Sequence, residues 1–326
     1  CIKPASGGST GDIDIWNATT GVACTVNYGT GAQAYLTGAR TNYDLLTVQD
    51  TTIVCNNLIT VAKIADPAFV ANKQATLTLS GTSISITYTI VIQGTTITVT
   101  TDSDDTYSDA LTKIKTAIDS QSTTSSWGLT VTKLQNTLQI TRASAFTITA
   151  TGGATSTSIE VFQDQVDAIT QLPVQSVHNH TVKIVNSASA ADTYFAKFVA
   201  DNSTSGPGYW EETVDPSKST GLNNTTMPHE LVNNSTNTFT FQKITYTSRL
   251  VGDDVTNNHP SFVGQKIQQA FFYNNRLGFL ALDNVILSQS GQQYNFYNTS
   301  AQTLTDADPI DLQASTTKPA ALHGII

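Results

Sequence analysis

The sequence has 326 residues, of which only 13% are charged, and its formal net charge is −9. A chain of this length exceeds what one core usually organises, so we expect two or three domains. The 16 basic residues are scattered without a Lys/Arg run, which argues against tight binding to nucleic acid. No apolar stretch approaches the roughly 20 residues that a membrane-spanning helix needs.

Residues 12–63 are predicted to form short β-hairpins. Apolar residues flank a turn at 17–21, which indicates the first hairpin. A second hairpin is predicted over 45–61, with Asn56 and Asn57 as its turn. Successive short hairpins are typical of propellers and barrels.

A small α+β domain is predicted at about 75–155. Thr106 is a suitable N-cap, and Asp109 lies three residues later, which together indicate a capping box at the start of a helix. Three strands are predicted on each side of this helix, at 75–79, 84–92, 95–100, 129–134, 137–141 and 146–149.

Strands are again predicted in the remainder of the chain. They lie at 182–185 and 193–199, and the second of these begins a hairpin whose far arm is 209–213. The mostly polar residues 214–238 are predicted to form a long loop, and strands dominate 262–297. The chain starts without Met and stops in an apolar run, so we expect it to be part of a longer polypeptide.

The three cysteines, Cys1, Cys24 and Cys55, form neither a disulfide framework nor a zinc-binding pattern. Cys24 and Cys55 lie in apolar, strand-like segments. We therefore expect buried free thiols, as in a protein that folds in a reducing cytoplasm.

Acidic residues are the first candidates for catalytic or metal-binding chemistry. Asp102, Asp104 and Asp105 could bind a cation, but they directly precede the helix, where carboxylates satisfy free N–H groups. Five others could supply a glycosidase pair, but they lie in turns and are predicted to be solvated. These five are Asp253, Asp254, Asp306, Asp308 and Asp311.

The histidines are the second candidates. His178 and His180 would share one face of a strand and could start a metal site, but no neighbouring Cys, Asp or Glu completes it. His229 and His259 adjoin prolines in predicted loops and are interpreted as structural or exposed, and the fifth histidine is His323. No cofactor and no catalytic residue are predicted.

Arg276 lies in the sequence Asn-Asn-Arg-Leu-Gly and has two interpretations. It could face a partner subunit, or it could fix a tight turn between strands by donating hydrogen bonds to backbone carbonyls. We favour the second interpretation.

Several motifs follow one another in the last part of the chain, and two more, at 45–50 and 226–231, precede them. The motif residues are Ser261, Phe262, Val263, Gly264, Asn275, Arg276, Leu277, Gly278, Phe279, Ser288, Asn295, Phe296, Asp308, Pro309 and Ile310. In this order they resemble the tail tubular protein B family, the tail nozzle proteins of short-tailed bacteriophages. The resemblance is strongest over 175–315.

The resemblance implies a mainly β fold, a β-propeller-like body that carries inserted small α+β and β domains. With the boundaries seen in the sequence, 1–63 supplies the first propeller strands, 64–165 the α+β domain, 166–250 a β-rich insertion, and 251–326 the return to propeller-like blades.

The function implied is structural: a homohexameric nozzle that forms the distal part of the DNA ejection channel in the virion tail. Its expected partners are further copies of itself, the ring of adaptor (tail tubular A) proteins, the tail fibres and the host envelope at infection. Genomic DNA would pass through without specific binding, and assembly would take place in the host cytoplasm. The alternative is a tail-associated polysaccharide-degrading or carbohydrate-binding protein.

Overall fold

Two units share the chain in the computed structural model, which describes residues 1–6, 9–80, 85–152, 158–186, 189, 192–314 and 322. Cys1–Asp66 and Lys218–Ile326 form the first unit, here called the body. Pro67–Ser217 form the second unit, here called the insertion. The described residues are mainly in β-strands, and none of their helices is long and apolar enough to cross a membrane.

The strands are numbered in chain order. The first body segment contains β1 (Ile2–Lys3), β2 (Asp12–Ile13), β3 (Thr25–Tyr28), β4 (Tyr43–Val48) and β5 (Thr51–Asn56). The insertion contains β6 (Gln74–Leu79), β7 (Thr87–Ile92), β8 (Thr95–Thr100), helix α1 (Tyr107–Thr124), β9 (Thr130–Lys133), β10 (Thr137–Thr141), β11 (Ile148–Gly152), β12 (Ile159–Phe162), β13 (Gln165–Val166), β14 (Gln175–Val177), β15 (Thr181–Ile184), β16 (Tyr194–Ala200) and β17 (Ser205–Thr213). The second body segment contains β18 (His229–Ser235), β19 (Thr238–Lys243), β20 (Gln269–Tyr273), β21 (Arg276–Ala281), β22 (Asn284–Leu287) and β23 (Ile310–Gln313). Short 3₁₀ helices lie at Ala32–Tyr35, Arg40–Asn42 and Ile169–Gln171.

The body contains three sheets among its described residues, and one of them combines strands from both of its segments. Its five-stranded sheet has the order β3-β19-β18-β5-β4, in which only β3 and β19 are parallel. Its four-stranded sheet, β20-β21-β22-β23, is an antiparallel meander. A two-stranded ribbon of β1 and β2 completes the set among the described residues.

Both body segments also contribute to one core. Phe262, Phe279 and Phe296 are buried and pack with ring centroids 5.4–5.9 Å apart. Ile53 and Cys55 from the first segment belong to the same cluster. Burying a phenylalanine contributes up to about 3 kcal/mol, so this shared core joins segments that are separated by the whole insertion.

The insertion begins with the predicted α+β arrangement. Three strands, the helix α1 and three strands follow one another as predicted. Together with a further strand, β12, they form the sheets β12-β6-β10-β9 and β11-β7-β8. Thr106 caps α1 in a capping box with Asp109, which confirms the predicted start of the helix. Leu111, Ile114 and Ile118 recur at helical spacing and are fully buried, so this face of α1 packs into the core of the domain.

A third sheet completes the insertion among its described residues. Its order is β13-β15-β16-β17-β14, and the predicted hairpin is β16–β17. The indole ring of Trp210 contacts Phe198 and His180 edge-on, with centroids 5.3 and 5.4 Å away. These contacts bury one face of the sheet.

The second predicted hairpin is real, but its predicted turn is wrong. Strands β4 and β5 pair with Val48 opposite Thr51, so the turn lies at Gln49 and Asp50. Asn56 instead ends β5, and its buried amide donates to the carbonyl oxygens of Tyr35 (2.9 Å) and Thr37 (3.1 Å). The asparagine signal therefore reflects a tertiary contact and not a turn.

The prediction of a loop over 214–238 is also wrong, since β18 lies within it. His229 pairs with Val54 of β5 on one side and with Lys243 of β19 on the other. Residues 218–250 therefore belong to the body, and the predicted segment 166–250 is divided between the two units.

Candidate functional site

The motif residues lie around the turn between β20 and β21. Asn274 and Asn275 have φ angles of 47° and 61°, a conformation that asparagine tolerates and that two-residue hairpin turns require. Four residues further on, Gly278 lies against the Phe271 ring, where an added Cβ would come within 2.2 Å of a ring carbon. The turn places Arg276 at the start of β21, and Gly278 leaves room for the ring of Phe271.

Arg276 is buried and acts as a clamp for the backbone. Its guanidinium donates hydrogen bonds of 2.7 Å to the carbonyl oxygens of Ser288, Asp306 and Asp308. It therefore holds the connection from β22 to β23 against the start of β21. The interpretation that Arg276 binds backbone carbonyls is confirmed, although these belong to a loop beyond its own turn.

Other motif residues close the same loop. The Ser288 hydroxyl accepts a hydrogen bond of 3.0 Å from the Leu277 N–H, and the Asn295 carboxamide accepts one of 3.0 Å from the Tyr297 N–H. Pro309 follows the buried Asp308, and Ile310 begins β23.

Asp308 does not have the solvated side chain that the sequence predicts. It is 5% exposed, and its carboxylate accepts hydrogen bonds from the N–H and hydroxyl groups of Thr299 and Thr305. Burial would raise the pKa of Asp308, but these four hydrogen bonds outweigh it and hold the pKa below its usual value. The carboxylate thus closes the loop and is not available as an acid.

The segment from Ser261 to Gly264 joins this cluster to the core. The N–H and hydroxyl groups of Ser261 both donate to the Asp311 carboxylate, at 2.7 and 2.6 Å. Phe262 lies in the core, Val263 packs partly against it, and Gly264 has a φ of 83° that favours glycine. The motif residues therefore converge on one structural cluster.

A conservative substitution tests the clamp. We expect Arg276→Lys to lower the free energy of unfolding by about 2–3 kcal/mol, because one ammonium group cannot reach three carbonyls that the planar guanidinium holds. Chemical denaturation followed by circular dichroism measures this. Hydrogen–deuterium exchange should speed up in peptides from 288–308. Arg40→Lys, at an exposed arginine, is the control, and equal effects of both variants would contradict the clamp.

The sequence did not predict a second arginine cluster, which lies around Arg249. Arg249 is 1% exposed, and its guanidinium donates to the carbonyl oxygens of Ser219 (2.5 Å) and Asn257 (3.0 Å) and to the carboxylate of Asp254 (3.0 Å). Asp254 also pairs with Lys218 at 3.1 Å.

The Arg249 cluster lies where the chain returns from the insertion to the body. The carbonyl oxygen of Ser219 accepts a hydrogen bond from Arg249. The N–H of Ser219 donates a hydrogen bond of 2.9 Å to the Asp66 carboxylate. Asp66 is the last body residue before the insertion. The two ends of the body at the insertion are thus fastened to each other and to Arg249.

Three further acidic candidates, Asp102, Asp105 and Asp253, bind groups of the same chain. Lys113 donates to the carboxylates of Asp102 (2.7 Å) and Asp105 (2.5 Å), which supports the role of these acids beside the helix. The Asp253 carboxylate accepts from the N–H groups of Val255 and Thr256 within its own turn. Within the described ranges, no three His, Cys, Asp or Glu side chains form a group that could hold a metal ion.

His178 and His180 lie in a turn and not on a strand, so they do not share a strand face. His180 is 3% exposed, and its Nδ1 lies 2.8 Å from the Ser176 hydroxyl. His178 instead accepts a hydrogen bond from the N–H of Ala200 at 3.2 Å.

His229 and His259 make contacts within the body. His229 is the first residue of β18 and not part of a loop, and its buried ring stacks on Tyr35 at 4.1 Å. Nδ1 of His259 lies 2.8 Å from the Tyr297 hydroxyl. His323 lies outside the described residues.

All three cysteines are free thiols, and the predicted burial is confirmed for Cys55 but is wrong for Cys24. Cys55 is buried, and burial raises its pKa well above the usual value, so the thiol stays protonated. Cys24 is only half-buried and Cys1 is exposed.

Comparison with known proteins identifies the family to which the motif cluster belongs. Residues 7–326 match the family model described as bacteriophage nozzle protein. A stretch of 156 residues is 38% identical to the tail tubular protein gp12 of Escherichia phage T7, and it covers 48% of this chain and 19% of that relative. The alignment thus spans a minor part of the relative's length. The family match extends over nearly the whole chain, and the chain therefore belongs to the bacteriophage nozzle protein family.

Proposed function

We propose that this chain is a structural component of a phage tail and forms the distal part of the DNA ejection channel. The observation that carries the proposal is the family match over residues 7–326. The geometry of the motif residues agrees with it, because their polar groups bind loops and backbone of the same chain. Their role in this proposal is to hold the body rigid, with no catalytic step.

The proposed assembly is a closed ring of six copies in the virion tail, formed in the host cytoplasm. A closed ring satisfies head-to-tail contacts without producing filaments. Its proposed partners are the adaptor ring, the tail fibres and the host envelope. The meander β20–β23 has the form of one blade, which supports a β-propeller-like body in the assembled protein.

Cryo-electron microscopy of the virion tests this function. We expect the density for this chain to surround the tail axis below the adaptor ring. The proposal would be overturned by density for the chain only at the tail periphery. It would also be overturned if native mass spectrometry of the full-length protein shows stable monomer and the virions lack a ring.

The proposed channel must let DNA slide, and the charge of both units favours this. The body carries nine basic and twelve acidic residues, and the insertion carries seven and thirteen, so the net charges are −3 and −6. Phosphate binding depends on clustered Lys and Arg. Neither unit therefore attracts DNA as a whole.

We expect the protein to bind a short DNA duplex more weakly than a Kd of about 10⁻⁴ M at ~100 mM salt, the weak limit of non-specific binding. Fluorescence anisotropy of a labelled duplex measures this. Lowering the salt to ~50 mM tests whether electrostatic binding is merely screened. Saturable binding with a steep salt dependence would contradict a channel wall that does not grip DNA.

A further inference from the structure

The insertion contains a half-open cavity that the nozzle function does not use. Its volume is about 520 Å³, within the range of small-molecule sites. All lining residues belong to the insertion. The cavity is therefore a property of this unit alone.

The floor of the cavity is a row of side chains across neighbouring strands. Gln165 of β13 pairs with Lys183 of β15, and Lys183 pairs with Phe195 of β16. Residues that pair directly in a sheet project from the same face. An amide, an ammonium group and a phenyl ring are thus placed side by side.

Lys183 is the cation of this cavity and has no ionic partner. Its ammonium nitrogen lies 5.8 Å from the centre of the Phe195 ring, and no carboxylate among the described residues is within ion-pair distance. By contrast, Lys197, two residues after Phe195 in β16, is paired with Glu211 at 3.0 Å. Lys183 therefore presents a free positive charge to a ligand.

The two carboxylates that line the cavity are already engaged. Asp164 accepts hydrogen bonds from the Asn72 N–H and the Gln74 carboxamide, and Asp215 accepts from the N–H and hydroxyl groups of Ser217. Their oxygens hold the walls of the cavity. Neither carboxylate forms an ion pair with Lys183, but these hydrogen bonds leave the charges of both in the lining, so an anionic ligand must contact the ammonium group directly.

Phenyl rings complete the walls. Phe69 and Phe162 line the cavity together with Phe195. Gln163, whose carboxamide nitrogen donates to the carbonyl oxygens of Gln74 and Phe146, also lines it. Flat apolar faces next to amides suit a ring that has C–H groups on its faces and hydroxyls at its edge. A free ammonium group adds a preference for a carboxylate.

We propose that this cavity binds an acidic sugar, with the pyranose face on the phenyl rings and the carboxylate on Lys183. The site is distinct from the motif cluster of the body, and it requires no bond to be made or broken. The chemical class of the ligand is a uronic acid unit of a polysaccharide.

Saturation-transfer NMR on the full chain tests the proposal, with methyl β-glucuronide and the neutral methyl β-glucoside as probes. We expect a Kd on the order of 1 mM for the glucuronide, as ligands of this size reach. The glucoside should bind about tenfold more weakly, because it lacks the charge-assisted contact.

The variant Lys183→Met keeps the side-chain stem but removes the charge, so it should remove the preference for the glucuronide. Lys197→Met removes a neighbouring charge outside the cavity and should leave both affinities unchanged. Thermal melting of each variant confirms that it is folded. The proposal is overturned if neither probe binds the wild-type chain, if both bind equally well, or if Lys183→Met retains the preference.

Discussion

Replacing Arg249 with methionine is expected to destabilise the body by about 3–4 kcal/mol. Methionine fills much of the space but leaves the carbonyls of Ser219 and Asn257 without the donors that they have now. These carbonyls lie at a buried site, so each lost hydrogen bond costs desolvation as well as contact. Chemical denaturation of the full chain measures the change in the free energy of unfolding.

The ion pair and the backbone contacts of Arg249 can be separated. Asp254→Asn removes the charge partner but leaves both carbonyls bound, and we expect it to cost less than about 1 kcal/mol because the Asp254 carboxylate is 37% exposed and solvated. Arg40→Met controls for the loss of an exposed arginine. Equal losses for the Arg249 and Asp254 variants would mean that the ion pair dominates.

Hydrogen exchange locates the same effect. In Arg249→Met, peptides that contain 217–221 and 249–258 should exchange faster than in the wild type, while peptides from α1 should be unchanged, because the helix belongs to the insertion. Uniform exchange in all peptides would argue against a local anchor at the re-entry of the chain.

The second large effect is a loss of stability of the insertion in mild acid. Burial lowers the pKa of His180 from 6.5 to about 3. Above pH 6.5 the His180 ring is neutral in both the folded and the unfolded protein, so it causes no pH dependence of the free energy of unfolding. Between pH 6.5 and about 3 the unfolded chain takes up a proton that the folded protein does not, so stability falls as the pH falls, by about 1.4 kcal/mol per pH unit, and levels off below.

Urea unfolding between pH 8 and pH 4 measures this loss, with the fluorescence of Trp210 as the probe because its ring contacts His180. We expect His180→Gln to be less stable at pH 8 but to lose less stability on acidification. A His180 variant with an unchanged slope would contradict the assignment.

Asp105 and Asp109 do not obscure the loss of stability that His180 causes in mild acid. The pKa values of Asp105 and Asp109 in the insertion are lowered, mainly by hydrogen bonds from Lys113 and Thr106. Groups of this kind stabilise the fold above pH 3.8 and lose that contribution only as the pH falls further. His229, whose pKa burial lowers to about 4, belongs to the body and should affect its unfolding separately.

The sequence was sufficient to predict local structure where hydrogen-bonding partners are close to each other in the chain. The capping box of Thr106 and Asp109 predicted the start of α1, and the asparagines before Arg276 predicted the turn into β21. In both cases the hydrogen-bonding groups lie within a few residues.

Predictions failed where the partner is distant in the chain. Asn56 resembles a turn residue, but its amide is bound by carbonyls about twenty residues earlier. The polar segment that contains β18 resembles a loop, but it is a strand because β5, on the other side of the insertion, provides its pairing partner. Polarity in the sequence does not reveal such partners.

The sequence by itself determined the β-rich fold, the position of the helix, the free cysteines and, through the ordered motifs, the nozzle family. The tertiary structure decided how the segments combine, since the backbone groups of β5 and β18 are completed only by each other. It also decided the roles of Asp308 and Arg249, because burial and hydrogen-bond partners, and not residue type, determine whether a charged side chain is solvated or holds a loop in place.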